Sequence, residues 1–245
     1  MKITVTLAAL ACTLAVTPLR ADVALDSIKA EFQKKVPEAA VQSVRKTQYN
    51  NLYEIVSNGE IIYTDDKVSF LSLGPIVDLN LKENVTESRL RQINAIDFKT
   101  LAFDRAIKIV RGNGSRKIAL FEDPNCGYCK RFERDLQGVS DVTVYVFLYP
   151  ILAADSMDKS KAIWCSADPG KAWIDTMVRD HLPAAAAAAC NATPIEQNLA
   201  YGQEKRIHGT PTLVFEDGQR LPGAVDMATV EKRFADSKAA LASAK

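Results

Sequence analysis

The spacing of apolar positions changes several times along the chain, and each change marks a different element. Ile3 to Val16 is almost wholly apolar behind Met1-Lys2, and it ends at Thr17-Pro18-Leu19-Arg20-Ala21. A basic start, an apolar run too short to span a bilayer and an alanine at the end read as a cleaved secretory signal over 1–21, cut after Ala21. Next, ALDSIKAEFQKKVP has the look of a helix, and short alternating segments follow it. YEIVSNGEIIYT places two β-rich runs around Ser57-Asn58-Gly59, a hairpin signal. Residues 22–85 are therefore expected to form a small α+β domain. Its core would be modest, and a second copy of the chain would cover an edge strand or apolar face. TESRLRQINAIDFKTLAFDRAIKIV then carries Thr86, Glu87 and Ser88 as start signals and Leu90, Ile93, Ile96 and Leu101 at helical spacing, which predicts a linker helix over 86–112.

After Gly112-Asn113-Gly114 the pattern becomes strand, helix, strand. KIALFEDP and VTVYVFLYP are runs fit for buried strands, with a helix between them from Cys126 to about Leu136. A helical stretch is expected over about 154–206, then TLVFEDGQRLPG as a hairpin turning at Asp217-Gly218, then a terminal helix from Met227 to Ala244. This order is similar to that of an α/β thioredoxin-like domain carrying a helical insertion, here residues 113–245.

Charge narrows the partners. The formal net charge is +1, and residues 1–21 hold Lys2 and Arg20 but no acid, so cleavage would leave −1. Such a balance argues against nucleic acid. No later stretch reads as a membrane helix, so no membrane insertion is expected of the mature chain. A signal of this kind delivers it to the periplasm, where cysteine chemistry is oxidising.

FEDPNCGYCKRF sets Cys126 and Cys129 one helical turn apart. Zinc wants about four ligands in close doublets. Cys165 and Cys190 are scattered, and His181 and His208 form no doublet, so no metal and no cofactor are expected. A structural Cys126–Cys129 bridge would restrict little of the unfolded chain. Redox chemistry remains. A helix starting at or after Cys126 holds that sulfur over unpaired N–H groups that stabilise a thiolate, making Cys126 an exposed nucleophile. Cys129, one turn in, would attack a mixed disulfide formed at Cys126. Gly127 and Tyr128 between them influence the balance of dithiol and disulfide. RIHGTPTLVF brings Thr210-Pro211 in front of a buried strand. In a thioredoxin-like fold this is the cis-proline loop facing the cysteine pair, where the Thr210 backbone could pair with an extended substrate. Asp123 reads as a solvated acid or turn residue.

With CGYC, the Thr210-Pro211 loop and the helical insertion together, the chain resembles the periplasmic protein disulfide isomerases of the DsbC family. The resemblance implies a homodimer paired through the N-terminal α+β domain, a linker helix and a thioredoxin-like catalytic domain facing an uncharged cleft. It also implies a structural disulfide between Cys165 and Cys190, closing about 26 residues and worth roughly 3 kcal/mol. Misoxidised secreted proteins would be the substrates, and a membrane-embedded electron carrier of the DsbD type the reductant. Thioredoxins carry a buried acid six residues before the first cysteine and a Trp just before it. Leu120 and Asn125 stand there in this chain, against a strongly reducing role. A thiol oxidase, a specialised thiol reductase and a dimeric chaperone are the alternatives.

Overall fold

The computed structural model describes residues 19–243, with side chains from residue 24 onward. The signal-peptide segment, apart from its last residues Leu19–Ala21, lies outside them. The chain divides into two compact units, Met1–Thr86 and Glu87–Lys245.

In the first unit, α1 (Leu19–Lys35) buries Ile28 and Phe32, four residues apart on one face, in a small core with Ala39, Ile55 and Val68. Strands β1 (Val41–Lys46), β2 (Tyr53–Ser57) and β3 (Glu60–Thr64) form an antiparallel meander. The expected hairpin joins β2 to β3, with Ile55 opposite Ile62, and its turn residues Asn58 and Gly59 both have positive φ, 53° and 82°. That geometry matches the twist of the flanking strands and is why Asn-Gly stands there. Glu54 on β2 is fully buried and accepts from Arg45 Nε at 2.7 Å and Nη2 at 2.5 Å. Beyond β3, a two-stranded ladder pairs β4 (Val77–Asp78) with β5 (Glu83–Asn84). Leu73, Leu79 and Leu81 in this region are 76%, 84% and 60% exposed.

The predicted helix over 86–112 is much shorter in the structure. α2 spans Val85–Ile93, two single 3-10 turns follow, and β6 (Ile107–Arg111) is an edge strand of the second unit's sheet. Asp97 caps the first turn by accepting from the Lys99 N–H at 3.0 Å. Ile96 and Leu101, whose spacing suggested a helix, bury with Phe98 against Phe121, Phe147 and Val214 of the sheet. β6 alternates buried Ile107 with exposed Lys108, the period of a strand. The second unit's sheet thus begins at Ile107, before residue 113.

The sheet order is β10-β9-β7-β8-β6, built from β7 (Arg116–Glu122), β8 (Val142–Leu148), β9 (Thr212–Phe215) and β10 (Arg220–Pro222). β7 and β8 run parallel, joined by α3 (Gly127–Leu136), and the other pairs are antiparallel. The insertion holds α4 (Ser156–Trp164), α5 (Pro169–Arg179) and α6 (Thr193–Glu204), and α7 (Met227–Ser243) closes the fold. Residues 180–192 are not helical, despite the alanine run at 184–189. Asp180 turns left-handed at φ 55° to end α5. Alanines alone offer no apolar stripe worth burying, so propensity loses.

Candidate active site

β7 leads into Asp123, which is fully buried rather than solvated. Its carboxylate accepts from the N–H groups of Asn125, Ile151 and Leu152 at 2.8, 2.7 and 2.8 Å and from the Ser156 hydroxyl at 2.9 Å. It ties the turn before the cysteines to the loop after β8, and four donors replace its water.

Cys126 is the N-cap residue of α3, and its Sγ accepts from the Cys129 N–H at 3.2 Å. A cysteine takes the place usual for Ser or Asp, so the unpaired donors of the first turn point at sulfur. The Thr210-Pro211 peptide is cis, and the Thr210 carbonyl oxygen lies 3.3 Å from Cys126 Sγ. With that loop across it, Cys126 is only 3% exposed, where an exposed sulfur was expected, and Cys129 is fully buried. Tyr128 is 70% exposed, and nothing packs within 4 Å of where a Gly127 side chain would begin. The sequence-predicted Cys126, Gly127, Tyr128, Cys129, Thr210 and Pro211 therefore meet at one place. Cys165 and Cys190 lie apart from it, bonded to each other with Cα atoms 5.9 Å apart.

The two thiols are driven in opposite directions. A hydrogen bond from the Cys129 thiol, followed by the Thr210 side chain and the N–H groups of Cys129 and Tyr128, lowers Cys126 to about 6 against the opposing effect of burial. Burial foremost, then the bond to Cys126 and the charge of Glu122, pushes Cys129 far above the ordinary thiol range. At neutral pH the pair is one thiolate and one thiol.

Two acids beside the site escaped the sequence reading. Glu122 ends β7 and Glu133 lies on α3, and both are fully buried. An acid closing an otherwise apolar strand, and another one turn after Cys129 on an inward helix face, were the signals available. Among the described residues no group of three His, Cys, Asp or Glu could hold a metal, and no helix is long and apolar enough to cross a membrane.

An N-capping thiolate, a buried second thiol and a facing cis-proline on this sheet order define a thiol-disulfide oxidoreductase with a thioredoxin-like domain. Residues 103–238 match the family model described as thioredoxin-like domain, and residues 15–87 match the disulfide bond isomerase protein N-terminal domain. A probable thiol:disulfide interchange protein DsbC of Bordetella parapertussis is 42% identical over 209 residues, covering 85% of this chain and 74% of the relative. The Escherichia coli thiol:disulfide interchange protein DsbC is 25% identical over 203 residues, covering 79% and 82%. A solved disulfide interchange protein from Neisseria gonorrhoeae is 38% identical, with a TM-score of 0.53 over 56% of this chain and 98% of its own. The chain belongs to the DsbC family of thiol:disulfide interchange proteins.

Proposed function

We propose that this protein is a periplasmic disulfide isomerase and reductase that works through the Cys126 thiolate. The observation that carries the reading is the pairing of Cys126, held at the head of α3 with its pKa lowered to about 6, with a Cys129 kept protonated behind it. Cys126 Sγ attacks a wrong disulfide in a secreted protein, forms a mixed disulfide and frees a substrate thiol to find its native mate. Cys129 resolves complexes that stall, leaving the enzyme oxidised, so a membrane electron donor of the DsbD type returns it to the dithiol. The Thr210 backbone and Pro211, with Gly127 and the exposed Tyr128 opposite, form the surface on which an extended substrate segment lies. Cys165–Cys190 is a structural bridge outside the exchange chemistry.

Residues 1–21 would be removed as a signal, 22–85 would pair two subunits, and α2 would link them to the catalytic domain. Exposed Leu73, Leu79 and Leu81 in the first unit support the pairing, since a contiguous exposed apolar stretch marks an interface.

Reactivation of a scrambled multi-disulfide protein in reducing glutathione tests this. The chain from residue 22 is compared with a chain starting at Ala95, which keeps β6 and the turns before it, and with Cys126→Ala. Activity that is lost in Cys126→Ala, and that falls at least tenfold on truncation while reduction of a small disulfide persists, supports a dimeric isomerase. Equal reactivation from the long and short chains, or a monomer by sedimentation at micromolar concentration, overturns it.

A further inference from the structure

Glu122 and Glu133 have no part in the chemistry above, yet they lie on the Cys129 side of the sheet. Along β7, Ile118 and Leu120 face the core cluster that holds both cysteines, whereas Ala119 and Phe121 face the other cluster. The strand's period of two puts Glu122 with the first set. Glu133 follows Cys129 by four residues, on the same face of α3.

The pair is poorly satisfied. Neither Glu122 oxygen has a hydrogen-bond partner, and neither has Glu133 Oε2. Glu133 Oε1 accepts from Trp173 Nε1 at 2.8 Å. Arg111 is 3.9 Å from Glu133 Oε2 through Nη2, too far for a hydrogen bond, while its Nη1 donates to the Leu136 carbonyl at 2.8 Å. Two buried carboxylates facing one such cation favour sharing a proton. Burial, then the Glu133 charge, pushes Glu122 well above the usual carboxyl range, and the Cys126 thiolate adds to this. Burial raises Glu133 too, against the hydrogen bond from Trp173 and the Arg111 charge. The same Glu122 charge helps to hold the proton on Cys129.

We propose that Glu122, backed by Glu133, accepts the Cys129 proton when Cys129 resolves a mixed disulfide, and returns it when the enzyme disulfide is reduced. The inference rests on Cys126 being the attacking sulfur. In the resolving step the bond between Cys126 and the substrate sulfur breaks and the Cys126–Cys129 bond forms. The substrate sulfur leaves as a thiolate with the electron pair of the broken bond, and the Cys129 proton passes to a Glu122 oxygen as the proton the pair already shares moves to Glu133. The enzyme's sulfurs are oxidised, the substrate disulfide is reduced, and no further reactant enters. The carboxyl pair goes into the step with one proton and comes out with two. Without such an acceptor, a thiol as deeply buried as Cys129 would wait for hydroxide.

Reaction of the reduced full chain with dithiobis(nitrobenzoate) separates the steps. The first nitrothiobenzoate is released by Cys126 in a bimolecular phase and the second by Cys129 in a unimolecular one. In Glu122→Gln the second phase should slow by about 100-fold at pH 7. It should also come to climb about tenfold per pH unit, as expected when hydroxide is the only base, where the native phase climbs less steeply. The first phase should keep its rise near pH 6, since the hydrogen bonds from Cys129 and Thr210 that lower Cys126 remain in place. Glu133→Gln, which leaves Glu122 in place, should slow the second phase less. A second phase with native rate and pH profile in Glu122→Gln overturns the proposal while leaving the Cys126 reading intact. A native first phase with no rise near pH 6 sinks that reading instead. Should the variants not fold, the infrared difference between dithiol and disulfide forms of the native protein decides. A change in the protonated-carboxyl band supports the proposal, and an unchanged band overturns it.

Discussion

Cys126 Sγ and the carbonyl oxygen of Thr210 lie 3.3 Å apart across 84 positions of sequence. In the proposed function, the loop that covers Cys126 would therefore also present the backbone group beside which a substrate strand lies. A substrate entering there would replace a contact the free protein makes with itself.

The lowered thiol of Cys126 gives the first prediction. Its folded-state pKa is depressed to about 6, chiefly by the Cys129 thiol, so the thiolate fraction grows as pH rises through 6. Iodoacetamide alkylation of the reduced protein should be half-maximal near pH 6 and level above about pH 7, with Cys129 unmodified throughout. For stability the sign is that of a depressed group: the contribution is present above the unfolded thiol value, near 8.5, and is lost as pH falls through about 6. A half-maximal rate near pH 8.5 would show that the N-cap position leaves the sulfur unperturbed.

The Cys165–Cys190 bridge closes a separation of 25 residues around α5 and the irregular segment after it. Replacing both cysteines by alanine should lower stability by about 3 kcal/mol in urea unfolding. Reduction of a small disulfide by Cys126 should be unchanged, because the bridge lies away from the exchange site.

What could be read from the sequence had local causes. Asn58-Gly59 fixes a hairpin by its own dihedrals, and Cys126, Gly127, Tyr128 and Cys129 carry their spacing wherever they occur. The misreadings came from distant partners. Ile96 and Leu101 have helical spacing, but they pack from single turns onto Phe121 and Phe147, a face no local window contains. Asp123 resembles a surface turn residue until Ile151 and Leu152, from the loop after β8, supply its donors. Glu133 is buried beside Trp173, forty positions away. The alanine run shows the converse: the best helix former stays irregular over 184–189, a run too short to hold a helix without an apolar face to bury.

Gly202 on α6 lies against Tyr149. A side-chain carbon added there would sit 2.6 Å from Tyr149 Cζ, in a ring that is 2% exposed and fixed by its hydroxyl donating to the Ile207 carbonyl at 2.9 Å. Gly202→Ala should therefore destabilise by about 2 kcal/mol, although alanine is the better helix former. A thermal midpoint lowered by about 6 °C would be the sign of it. A midpoint equal to or above the native one would mean that α6 moves off the sheet without penalty.

The buried carboxyl pair also sets a pH dependence of stability opposite in sign to that of Cys126. Burial, then the Glu133 charge, raises Glu122 in the folded protein, whereas the unfolded side chain titrates near 4.3. A raised group contributes stability that is complete below the unfolded value and is lost as pH rises through the folded one. Glutamine keeps the shape of Glu122 and cannot ionise, so it escapes that loss. The Glu122→Gln protein should unfold at a higher temperature than the native protein at pH 8, and the difference should disappear or reverse at pH 4, where the native carboxyl is protonated. A difference of the same size at both pH values would trace the effect to packing alone and leave the carboxyl's charge without a role in stability.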